Sequence, residues 1–172
     1  MINQQEKKSM KLVKIIVVLL WWACASTNTN AQEIKAIKYS ALNEIITSKT
    51  SQYKVINFWA TWCKPCIKEL PQFEALNKKH RENGLEVILV SFDFAEDLEK
   101  RLIPYVNKKN IKSKVLLLDE TDYNSFIDKI DPSWSGAIPA TLMMDYRNGN
   151  KQFFEQEFKE GELEKVYLEF IN

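Results

Sequence analysis

The stretch "INFWATWCKPCIKELP", residues 56–71, sets Cys63 and Cys66 three positions apart, with Lys64 and Pro65 between them. Three chemistries use such a pair: a permanent staple, half of a metal site, or a disulfide that opens and closes. Bridging so short a loop removes little chain entropy from the unfolded state, which argues against a staple. Structural zinc needs four ligands, and beyond the pair the chain holds only Cys24 and a single histidine, His80. His80 lies on the same expected helix, about 21 Å farther along by helical rise. It is expected to be a solvated surface histidine, and no metal is expected. For redox chemistry, a pair placed between a strand and a helix puts Cys63 at the helix N-terminus, where unpaired N–H groups and the dipole favour a thiolate. Lys64 adds a positive charge beside it. Pro65 falls in the first turn, where its missing N–H is harmless. Cys66 sits one turn in, more shielded, so Cys63 is the expected attacking sulfur and Cys66 the resolving one.

The surrounding pattern supplies the strand and the helix. "YKVINFWA", 53–60, is β-branched and aromatic, a buried strand. Residues 64–82 read as a long helix with Ile67, Leu70, Phe73 and Leu76 at helical spacing, closed by Asn83-Gly84 as a left-handed cap. A short helix is expected over 40–49 and strands over 85–93, 114–119 and 138–146. Helices are expected over 95–108 and 122–130. Asn148-Gly149 is a hairpin turn signal, with "KQFFEQEF" (151–158) as the returning strand and a closing amphipathic helix over 161–171. Alternating strands and helices imply an α/β fold: a central mixed, mostly parallel sheet with one antiparallel hairpin at an edge and helices on both faces.

The chain has 172 residues, 45% of them apolar, enough for one core, and its charges nearly cancel, so nothing points to nucleic acid. Residues 1–31 stand apart. Lys7, Lys8, Lys11 and Lys14 precede the apolar run Ile15–Ala25, followed by polar "STNTNAQE". That is the pattern of a secretory signal peptide. An eleven-residue run reaches about 16 Å as a helix, short of a ~30 Å hydrocarbon core. Cleavage after Ala31 leaves a slightly acidic domain, residues 32–172; cleavage after Ala25 is the alternative. Cys24 could instead become a lipid anchor, although Trp21 and Trp22 stand where small residues are wanted. The expected location is therefore exported, in the periplasm or cell envelope, a compartment that permits disulfides.

At "NFWATWCKPC", "CIKELP" and "WSGAIPAT" the chain resembles the thioredoxin superfamily, and within it the TlpA/ResA-like branch of exported thiol–disulfide oxidoreductases. The resemblance runs over about residues 33–170 and is weakest between Phe94 and Trp134. It implies a thioredoxin-like fold, a kink at Pro71, and a cis peptide bond before Pro139 facing the cysteines. It also implies that the backbone of Ile138 pairs with substrate. An ordinary trans proline opening a strand is the alternative for Pro139. Thioredoxins proper keep an aspartate six residues before the first cysteine; here that position is Asn57, which cannot titrate. The branch uses a glutamate three residues after the second cysteine, and Glu69 stands there, on the Cys66 side of the helix by spacing. A partly desolvated Glu69 would have a raised pKa suited to proton exchange with that thiol. Trp59 is expected in the core and Trp62 on an exposed apolar docking surface; Trp134 either joins that surface or anchors its loop. Asp93 and Asp119 end strands at this edge with no role assigned.

The resemblance favours a protein disulfide reductase that needs no cofactor beyond the Cys63–Cys66 pair. It would draw electrons from a membrane thiol donor and act on exported proteins bearing disulfides or thiols, apocytochrome c among them. Lys64, by stabilising a thiolate, pulls the potential toward oxidation, so an exported thiol oxidase is one alternative. A thioredoxin-fold binding module without turnover is the other.

Overall fold

A computed structural model describes residues 33–172. The expected leader, residues 1–31 with Cys24, lies outside the described residues.

Six strands form one sheet: β1 (Lys35–Ile37), β2 (Tyr53–Trp59), β3 (Leu85–Ser91), β4 (Lys114–Leu118), β5 (Ala140–Asp145) and β6 (Asn150–Phe154). Their order across the sheet is β1-β4-β3-β2-β5-β6. The pairs β1·β4, β4·β3 and β3·β2 are parallel, whereas β5 runs antiparallel to both β2 and β6. The five α-helices among the described residues are α1 (Tyr39–Thr47), α2 (Lys64–His80), α3 (Ile103–Lys109), α4 (Ile127–Ile130) and α5 (Glu162–Ile171). This is the expected thioredoxin-like α/β fold, with the hairpin β5–β6 at one edge.

Successive side chains of a strand point to opposite faces, so the partners of β2 show what covers each face. Tyr53 meets Tyr167 of α5, Asn57 bonds Glu69 of α2, and Trp59 packs on Tyr105 of α3. On the other face, Lys54 reaches α1 and Phe58 packs on Phe92 and Trp134. With both faces covered, every β2 residue is buried. The buried Lys54 ammonium is satisfied by the Ile45 and Ser48 carbonyls, each at 2.6 Å, and by Ser48 Oγ at 2.7 Å. These carbonyls belong to the C-terminal end of α1, where unpaired acceptors and the helix dipole favour a cation; burial still pushes the Lys54 pKa down.

The topology makes the site. Parallel β2 and β3 end at the same sheet edge, and antiparallel β5 begins there, with Phe58 opposite Ala140. The segment before β5 is thereby carried to the loop that follows β2.

Several expectations need correction. β1 was not anticipated: it is three residues long, and its register with β4 (Lys35 opposite Leu116) is a contact across some eighty residues that no local pattern announces. The expected helix over 95–108 is broken into a 3-10 turn (Ala95–Asp97), a wider π turn (Leu98–Leu102) and α3. Pro104, in the first turn of α3, has no N–H to return to the preceding turn, so the regular ladder starts only there. The returning strand stops at Phe154, and residues 155–158 leave the sheet. α2 continues through Pro71 to His80, and a 3-10 turn then ends on Gly84 with φ 83°, the left-handed cap expected. His80 is buried rather than solvated: its Nε2 lies 2.7 Å from Glu164 Oε1 of α5, and its ring packs on Tyr167.

Candidate active site

The buried end of β2 delivers the chain to Ala60–Trp62 and then to Cys63, the N-cap of α2. Its sulfur accepts the Cys66 N–H at 3.3 Å, one of the amides a helix start leaves unpaired. Cys63 and Cys66 are joined as a disulfide with their Cα atoms 5.3 Å apart. Cys66 is fully buried and Cys63 is 6% exposed, so of the pair only the first residue reaches solvent, and only narrowly. Pro65 and Lys64 are exposed on the first turn, and Trp62 projects 53% exposed beside them.

Ile138-Pro139 is a cis peptide, as the resemblance implies. Pro139 is buried, and the Ile138 carbonyl oxygen lies 3.8 Å from Cys63 Sγ. Trp134 is buried and its Nε1 donates to the Ala137 carbonyl at 2.8 Å, so it anchors this loop rather than joining an exposed surface.

Behind the disulfide, Glu69 is wholly buried. Its Oε1 accepts from Asn57 Nδ2 at 2.9 Å and its Oε2 accepts the Phe158 N–H at 2.9 Å. Asn57 also donates toward Thr141 Oγ1 at 3.2 Å. Burial disfavours the charged carboxylate and raises its pKa from 4.5 to about 7, against the opposing pull of the Phe158 and Asn57 hydrogen bonds. A buried acid that titrates near neutrality, one helical turn past the buried sulfur, can take up or release a proton there.

Two further residues hold the site together: Asp93, which the sequence placed at this edge without a role, and Glu155, which it did not single out. Asp93, buried just past β3, accepts from Thr61 N at 3.0 Å, Thr61 Oγ1 at 2.5 Å and Ser91 Oγ at 2.6 Å. It clasps the turn that presents Cys63. Glu155, just past β6, accepts from Ser135 N at 3.0 Å, from Ser135 Oγ and from Ala137 N at 3.1 Å, and so pins the loop before the cis bond. The position of Asp93 at the end of a strand was a usable signal; Glu155 had none, because the residues it binds lie some twenty positions away. Asp119 is remote in role: it pairs with Lys38 at 3.0 Å beside β1.

The sequence profile of the AhpC/TSA family matches residues 38–149. Among named relatives, the chain is 34% identical over 91 residues to thiol-disulfide oxidoreductase ResA of Bacillus cereus, covering 52% of this chain and 47% of that protein. To the ResA of Oceanobacillus iheyensis it is 45% identical over 114 residues, covering 55% and 59%. The chain thus spans about half the length of the curated relatives it matches. Among solved structures, a thioredoxin-related protein from Neisseria meningitidis serogroup B superimposes with a TM-score of 0.59 at 20% identity, over 73% of this chain and 90% of that one. StoA from Bacillus subtilis superimposes at 0.52 and 18% identity, over 71% and 86%. These two likenesses establish the thioredoxin-like fold.

Proposed function

We propose that this chain, which belongs to the AhpC/TSA family, is a thiol–disulfide oxidoreductase that works outside the cytoplasm as a protein disulfide reductase. The observation that carries the reading is the Cys63–Cys66 disulfide, capped on a helix start, faced by the Ile138 carbonyl and backed by a carboxyl titrating near 7. The relatives named thiol-disulfide oxidoreductase support it.

In the reduced state the Cys63 thiolate attacks one sulfur of a substrate disulfide. A Cys63–substrate bond forms, the substrate S–S bond breaks, and the leaving sulfur takes up a proton. Glu69, as carboxylate, accepts the Cys66 thiol proton. The Cys66 sulfur then attacks Cys63 Sγ, releasing the second substrate sulfur as a thiol and leaving the pair oxidised. Two electrons have passed to the substrate, and a membrane thiol donor restores the dithiol. Trp62, Lys64, Pro65, Ile138 and Pro139 form the rim on which the substrate chain lies. No further cofactor enters the scheme. Exported proteins with disulfides, apocytochrome c among them, are the substrates this reading favours, and the basic head and apolar run within residues 1–31 support export.

Insulin-disulfide reduction, driven by a small dithiol, tests the mechanism: the protein accelerates it and Cys63→Ser abolishes the acceleration. Activity surviving that substitution refutes the assigned nucleophile. Equilibration with glutathione tests the direction, because potentials of such pairs span about −270 to −120 mV and a value near the upper end rejects a reductase.

A further inference from the structure

Two large aromatic side chains stand in water at the site's edge: Trp62, 53% exposed, and Phe94, 59% exposed. They belong to different loops, yet the Asp93 clasp ties them together. Thr61, bonded through its N–H and Oγ1 to Asp93, immediately precedes Trp62, and Phe94 immediately follows Asp93. The two aromatics therefore flank one hydrogen-bonded pair at the sheet edge that carries Cys63. Phe92, two residues earlier, packs inward on Phe58, Trp134 and Phe126. Phe94 takes no part in that inner cluster and stands at the surface. Large aromatics left exposed beside a reacting pair suit contact with a partner's apolar groups, the use to which interfaces put them.

We propose that Phe94 is a substrate-specificity residue, a second aromatic anchor that acts with Trp62. Together they hold an apolar side chain next to the reacting cysteine of an extended polypeptide. The proposal rests on the disulfide-exchange reading above and names the substrate class of that same site. Two observations select this occupant. Cys63, with 6% of its surface open and the Ile138 carbonyl 3.8 Å from its sulfur, admits a slender chain and not the blunt face of a folded protein. Near the two aromatics stand exposed Lys64, two residues past Trp62, and exposed Glu96, two residues past Phe94. Charge of either sign is therefore not selected, and apolar contact is left to discriminate.

The test uses the full-length chain and two disulfide-linked peptides that differ only in the residue beside the cysteine, Leu in one and Ser in the other. The readout is the ratio of their kcat/KM values. The wild type favours the Leu peptide. Phe94→Ala lowers that preference about tenfold, the loss expected on truncating one well-seated aromatic anchor, and Phe94→Leu restores most of it. A ratio that is unchanged in Phe94→Ala, or a wild type that turns over both peptides alike, overturns the proposal while leaving the disulfide-exchange reading in place. A wild type that reduces neither peptide, together with a Cys66→Ser protein that forms no mixed disulfide with either, overturns both.

Discussion

Glu69→Gln isolates the buried acid behind the disulfide. The Glu69 pKa is 4.5 in an unfolded chain and about 7 in the folded one. A carboxyl whose folded pKa is raised destabilises the fold as pH rises: below 4.5 both states are protonated, between the two values only the unfolded state ionises, and above 7 the full difference is reached. At about 1.36 kcal/mol per pKa unit, the full linkage is about 3 kcal/mol, of which about 2.5 kcal/mol develops between roughly pH 5 and pH 8.5. Glutamine cannot ionise, so the variant lacks that slope. It also presents an amide where one carboxylate oxygen now accepts, either to Asn57 Nδ2 or to the Phe158 N–H. Leaving a buried donor unpaired costs about 1–3 kcal/mol at any pH. The informative quantity is therefore the change with pH rather than the absolute stability. Urea unfolding of the oxidised protein, in which neither cysteine titrates, measures it at both pH values. The wild type loses about 2.5 kcal/mol more than Glu69→Gln across that interval. Parallel pH dependence in the two proteins refutes the assignment of a near-neutral pKa to Glu69, and with it the proton exchange assigned to Glu69 near neutral pH.

Two other predictions concern the residues that hold the loops. Glu155→Ala frees Ser135 and Ala137, so the loop before Pro139 loses its register and KM for insulin rises by about three- to tenfold with a smaller change in kcat; Glu155→Gln, which keeps one acceptor oxygen, recovers part of it. Asp93→Asn replaces a charged acceptor of three donors with a neutral one, so that one hydroxyl must turn to accept instead. It lowers stability by about 1–2 kcal/mol in urea unfolding.

The correspondence between sequence and structure follows the reach of each interaction. Cys63, Lys64, Pro65 and Cys66 occupy one helix start, so a four-residue spacing was enough to place them, and the apolar run of β2 was legible because a central strand is buried on both faces. Pro139 and Glu69 were legible through resemblance alone, since nothing within a few residues of either says what it faces. His80 misled: a single histidine in "NKKHREN" reads as solvated, and α5 packing over it is a contact across more than eighty residues. β1 and the break before α3 were lost for related reasons, one to a short strand paired far along the chain and the other to a proline that moves the start of the ladder. By itself the sequence determined where the cysteine pair sits, the strand and helix that present it, and the apolar segments of the core, because each is a property of neighbouring residues and their periodicity. Only the tertiary structure decided that Ile138 faces Cys63, that Asp93 and Glu155 hold the two loops, and that Glu69 is dry enough to keep its proton to near neutrality. Those facts depend on chain segments meeting at the end of β2, and desolvation is a property of the assembled interior rather than of any residue in it.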